Sequence, residues 1–191
     1  MRTCAGGALN NNGPHPIDHA MMLFGDAVPE VWAEARTCLC SGDAEDHLKI
    51  ILSGQGHPTV EVELSDTIAY GQERWLVAGT AGGLRGNASH LEWKWVDWST
   101  MPTREVDEHS TPDRSYNSEA LTWQYDSWDA PDAVDSGGGA APVAGPTRDL
   151  YRDLYLTIRE GKPQVITPAS VRTRLAVMAR VRAAAGIPAS L

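Results

Sequence analysis

Near the start of the chain, residues 6–25 read GGALNNNGPHPIDHAMMLFG. His15, Asp18 and His19 fall on one side of a first helical turn. Two histidines at i and i+4 can chelate a metal. The glutamate of H-E-x-x-H is missing, and Pro16 stiffens the turn. A surface histidine and a carboxylate favoured by the helix dipole account for these residues without a metal. Asn10, Asn11 and Asn12 precede His15. Asparagine caps helices and tolerates left-handed backbone, so a structural role is open. One cap needs only one asparagine. A first-turn histidine faces the positive end of a helix dipole, which favours the neutral imidazole that general acid–base work requires. From residue types alone, cap and site both stand.

Two further stretches carry chemistry-bearing residues. WLVAGTAGGLRG (75–86) places glycines after a strand pattern. Its spacing is not G-x-G-x-x-G, and another strand follows instead of a helix, so no helix N-terminus can cradle a pyrophosphate. It reads as a β-turn joining two strands. Cys38 and Cys40 lie two apart in TCLC, inside an expected strand, and read as buried thiols on one face. With Cys4 the count is three, which suits a reducing cytoplasm better than a disulfide framework.

The elements that would position these groups follow from periodicity. Ile17, Ala20, Met21 and Phe24 recur at helical spacing, giving a helix over 11–24 with Pro14 and Pro16 in its first turn and Gly25 at its end. Alternation and β-branched residues then indicate strands in 28–40, 46–56, 59–70, 74–86 and 89–98. A further strand falls around 120–126. In LEWKWVDW, Leu91, Trp93 and Trp95 share one face, which is expected to be buried. Residues 129–146 read as a flexible Gly/Pro/Ala-rich loop. Helices return at 147–161 and 167–186, with Thr147 and Thr167 as caps and Leu150, Leu154 and Ile158 as one stripe. A block of strands between helices gives an α+β fold: an open, mainly antiparallel sheet of about six strands with helices on one face, forming a single domain over 1–191. The other face, with seven tryptophans in the chain, is a candidate partner surface.

Composition narrows the function. Apolar residues make up 42% and charged residues 21%, ordinary for a globular protein. The net charge of −9 disfavours a nucleic-acid role. The arginines of 148–159 and 172–182 read as solvated helix faces. No apolar run reaches the about 18 residues of a membrane span, and no signal peptide is evident, so the reading is cytoplasmic.

The opening stretch resembles the signature that begins the C-terminal domain of the Gfo/Idh/MocA oxidoreductases. Gly6, Gly7, Asn11, Gly13, His15, Asp18, Leu23 and Gly25 fall in step with it. DHLKIILSGQGHPTVEVELS, LEWKWVDW and the YRDLYLTIREGKP helix with its following TPAS helix occur in the family's order. The resemblance implies a substrate-binding and dimerisation domain of an NAD(P)-dependent sugar or polyol dehydrogenase. It implies that His15 contacts the reacting hydroxyl and assists proton transfer. Asn11, where many members have Asp, and Asn12 would bind substrate hydroxyls, with Asp18 in support. The open sheet face would form a homodimer or tetramer. The family's nucleotide-binding domain and its catalytic lysine have no counterpart here, so Met1 is expected to fall where the second domain begins. The chain by itself would then bind no NAD(P) and turn nothing over. A stand-alone oligomerising or sugar-binding module is the rival reading, and a metal-dependent hydrolase built on His15, Asp18 and His19 is a third.

Overall fold

A computed structural model describes residues 1, 4, 6–101, 109, 120–130 and 146–188. The chain divides into two compact units: Met1–Ala69 with Pro142–Leu191, and Tyr70–Ala141.

The first unit is built on an antiparallel sheet in the order β1 (Glu30–Arg36), β2 (His47–Ser53), β3 (Val60–Ser65). Period-two alternation gives the sheet two faces. Leu48, Ile50 and Leu52 of β2 have no solvent exposure. In register, Ile50 sits between Ala33 and Val62, and all three are buried. The opposite face is charged. Lys49 pairs in register with Glu34 and Glu63, and its Nζ lies 2.8 Å from Glu61.

Two helices cover the apolar face. One is α2 (Pro14–Met21), which buries Ile17, Ala20 and Met21. Its prolines fit because the first turn has no carbonyl partner for their missing N–H groups. The other is α4 (Pro168–Ala184), which buries Val177 and Val181. Its start carries a reciprocal cap: Ser170 N–H donates to Thr167 Oγ1 at 3.0 Å, and Thr167 N–H donates to Ser170 Oγ at 3.1 Å. The Thr167 cap, Pro168 at the first position and Gly186 (φ 64) as stop agree with the sequence reading. A short helix, α1 (Ala8–Asn11), precedes α2. The third long helix, α3 (Pro146–Glu160), starts ahead of Thr147, so that residue lies inside it. Its expected apolar stripe of Leu150, Leu154 and Ile158 is present but exposed.

The second unit is a four-stranded antiparallel sheet: β4 (Trp75–Ala78), β5 (Gly82–Gly86), β6 (His90–Trp95) and β7 (Gln124–Asp129). The glycine stretch is the β4–β5 hairpin, closed by Gly79 N–H on the Gly82 carbonyl at 2.8 Å. A side chain at Gly82 would run into the Lys94 carbonyl and Trp95 of β6, so only glycine fits there. Leu91, Trp93 and Trp95 are partly buried.

The α+β class and the antiparallel pairing are therefore as expected. The strands form two sheets because no pairing joins β3 to β4. The segment between them, DTIAYGQER, interrupts the alternation. The loop expected over 129–146 lies outside the described residues except at its ends, where β7 stops and α3 starts. Among the described residues no helix is long and apolar enough to cross a membrane.

Candidate functional site

The asparagine run is anchored before it is displayed. Ala8 N–H donates to the Glu45 carbonyl at 2.8 Å, and Leu9 N–H donates to Glu45 Oε1 at 3.2 Å. Glu45 is buried and reaches α1 from just before β2. Asn10 Oδ1 accepts from Arg182 Nη2 of α4 at 2.5 Å. Neither α1 nor α2 has a side-chain cap; Gly7 and Gly13 hold those positions. The capping role open to the asparagines is therefore not the one they take. Asn10 ties the segment to α4, and Asn11 and Asn12 are left exposed.

Asn11 and Asn12 line a cleft of about 490 Å³ together with Asp46, Glu63, Ser65 and Asp66. Gly6 and Gly7 form part of its wall. Carboxamides donate and accept, while carboxylates and a hydroxyl accept, so the lining suits a ligand rich in hydroxyl groups. Sequence reasoning missed the four partners: Glu63 and Ser65 of β3, Asp46 just before β2 and Asp66 just after β3. Alternation could have placed Glu63 and Ser65 on the polar face of β3. The proximity of Asp46 and Asp66 to α1 had no local signal.

His15 sits at the second position of α2, is exposed, and does not line this cleft. Asp18 forms an ion pair with Arg174 Nε at 2.6 Å, tying α2 to α4. Arg180 donates to the Pro29 carbonyl at 3.1 Å. Three arginines of α4 thus bind the N-terminal segment, where the sequence suggested only a solvated face. Among the described residues, no three His, Cys, Asp or Glu side chains are grouped to hold a metal ion.

Asp46, which lines the cleft, also orders the turn after β1. Its carboxylate accepts N–H groups from Cys38 at 2.7 Å, Leu39 at 2.8 Å and Cys40 at 2.7 Å. This corrects the expectation for the cysteines. β1 ends at Arg36, and both thiols are exposed in the turn instead of buried in a strand. The competing force is that carboxylate, which curls the backbone away from the extended form.

The Cys38 N–H above all, with those of Cys40 and Leu39, holds the Asp46 carboxyl below the usual carboxylate range, against the opposing effect of its desolvation. The sign follows. With the folded pKa below the unfolded value of about 3.9, the stabilisation is complete above that value and disappears as pH falls through the folded pKa. Amide exchange at Cys38, Leu39 and Cys40 is expected to stay slow at neutral pH and lose protection in that acidic window. Asp46→Ala should remove the protection at every pH. Protection independent of pH down to 2 would show that the carboxylate does not order the turn.

The second unit carries a wider hollow of about 850 Å³ on its sheet, lined by Leu76, Arg85, Glu92, Lys94, Tyr125 and Ser127 among others. Arg85 pairs with Glu92, and Lys94 lies 4.7 Å from the Trp123 ring centre. Leu76 and Tyr125 are exposed there.

Residues 1–85 match the family model of the GFO/IDH/MocA C-terminal domain. No curated protein sequence matches the chain. Among solved structures, an NAD-binding protein from Listeria innocua aligns with a TM-score of 0.68 and 18% identity, over 97% of this chain and 51% of that one. A UDP-N-acetylglucosamine 3-dehydrogenase from Acidithiobacillus ferrooxidans aligns at 0.63 and 13% identity, over 93% and 48%. An oxidoreductase from Agrobacterium radiobacter, solved with NAD+, L-tartaric acid and magnesium, aligns at 0.60 and 16% identity, over 94% and 47%. At these identities the likeness shows the fold. The chain spans about half the length of these structures. The resemblance read from the opening stretch is thereby borne out.

Proposed function

We propose, taking the chain as a Gfo/Idh/MocA C-terminal domain, that it is the substrate-binding and oligomerising part of an NAD(P)-dependent sugar or polyol dehydrogenase. The cleft of Asn11 and Asn12 carries the reading, because it sets hydroxyl-binding groups inside the segment that matches the family model. Bound NAD(P) in the complete protein would supply the hydride acceptor. Asn11 and Asn12 hold substrate hydroxyls by donating and accepting, and Glu63 and Asp66 accept from others. His15, exposed on α2 outside the cleft lining, takes part in moving the proton of a hydroxyl that the substrate presents beyond the cleft. Asp18 serves it indirectly, by fixing α2 against α4 through Arg174. The exposed sheet face with Leu76 and Tyr125 is the surface for a second copy.

Calorimetric titration with NAD(P) tests this, on the chain alone and with a separately produced nucleotide-binding domain of the family. No binding alone and binding on addition of that domain is the expected result. Binding by the chain alone would overturn it, since the glycine stretch is a hairpin without a helix N-terminus to receive a pyrophosphate. Binding under neither condition would favour a non-catalytic sugar-binding module.

A further inference from the structure

The β1–β2 turn carries chemistry that the proposed sugar site does not use. Cys38 and Cys40 are both exposed and both free. In an extended strand successive N–H groups point to opposite sides. Here three consecutive N–H groups, from Cys38, Leu39 and Cys40, converge on the single carboxylate of Asp46. The chain between the two cysteines is therefore curled, and their Cα atoms are closer than the about 6.6 Å that two extended residues span. A disulfide requires Cα atoms about 4.4 to 6.8 Å apart, so the curl favours closure. The turn is fixed on its other side as well. Thr37 Oγ1 donates to the Ala44 carbonyl at 3.2 Å, and Gly42 N–H donates to Cys40 Sγ at 3.3 Å. Both cysteines lie in a preformed turn and are exposed, and the Cys40 sulfur accepts a backbone N–H there.

We propose that Cys38 and Cys40 form a reversible thiol–disulfide site, closed by a low-molecular-weight disulfide and reopened by a small thiol. Closure takes two exchanges. One cysteine, as thiolate, attacks a sulfur of the small disulfide; the S–S bond breaks and one small thiol leaves. The second cysteine's thiolate attacks the protein sulfur of that mixed disulfide, and the second small thiol leaves. The two protein thiols are oxidised, the small disulfide is reduced to two thiols, and the two protons pass from protein sulfurs to the departing ones. The site stands independently of the dehydrogenase reading, because it rests on the turn and on Asp46.

The test is oxidised glutathione added to the full chain, followed by acid quench and intact mass measurement. The expected product carries a loss of two hydrogens and no glutathione on the turn that holds Cys38 and Cys40, whatever adduct Cys4 takes, and returns to the starting mass with dithiothreitol. Trypsin separates the candidates, because Cys38 and Cys40 share the peptide 37–49 while Cys4 lies in 3–36. The mass loss should reside wholly in 37–49. Cys4→Ser should close as the parent does, and Cys38→Ser should stop at a glutathione adduct on Cys40. Glutathione retained on the parent turn would overturn the proposal. So would a link between peptides 37–49 and 3–36, or between two chains.

Discussion

Leu48→Ala is expected to lower the folding free energy by about 3 kcal/mol, within the range of about 2 to 5 for a leucine or isoleucine cut to alanine in a closed core. Leu48 has no exposed surface and sits in the central strand of its sheet. Its register partners Ala35 and Leu64 lie on either side, so the side chain's loss leaves a space that two paired backbones cannot collapse to fill. A domain with about 5 to 15 kcal/mol of stability would lose a large part of it. The comparison is Lys49→Ala, one residue along on the charged face. Its nearest carboxylate contact is an ion pair with Glu61 at a part-exposed site, where solvent screening leaves it a small contribution beside a closed-core leucine. Urea denaturation of both variants decides the matter through their midpoints at unchanged slope. Equal losses would mean that the two faces of β2 are not the buried and open faces described.

That alternation was readable because it is local. DHLKIILS and TVEVELS each state their faces within a few residues, and the helix over Ile17, Ala20 and Met21 does so at its own period. Thr167, Ser170 and Pro168 likewise announce the start of α4 within one turn. What the residues alone did not disclose was set by distant partners. The strand pattern of 28–40 runs on through the cysteines, yet the N–H groups of 38 to 40 are taken by a carboxylate six to eight positions further on. The three asparagines look alike in the sequence. They differ in the fold because Arg182, 172 positions away, claims Asn10 and leaves the next two to the cleft. The stripe on α3 shows where amphipathic spacing falls short: it gives Leu150, Leu154 and Ile158 a common side but not a covering, and all three are exposed. The division into two sheets was hidden for the same reason, since whether β3 pairs with β4 depends on the path of 66–74 and not on either strand's composition.

Gly7→Ala should reach both stability and the site. Gly7 holds φ 117, a backbone conformation open to glycine and strained for other residues by about 1 to 3 kcal/mol. A β-carbon there would also fall on the Glu45 carboxylate, well inside contact distance. Glu45 has little room to withdraw. It is 3% exposed, its carbonyl receives Ala8 N–H, and its Oε1 receives Leu9 N–H. Displacing it breaks a hydrogen bond to a charged group, adding about 1 to 3 kcal/mol. The expected total is therefore about 2 to 6 kcal/mol, concentrated at the start of α1. Because the same anchor sets Asn11 and Asn12 at the cleft, sugar or polyol binding should weaken in the variant even under conditions where it remains folded. Glu45→Gln separates the causes, as it keeps the glycine and the shape while removing the charge. If Gly7→Ala matched the parent in denaturation midpoint, the Gly7–Glu45 contact would not be what holds the asparagine segment in place. If it lost stability yet bound ligand as the parent does, the cleft of Asn11 and Asn12 would not be the substrate site.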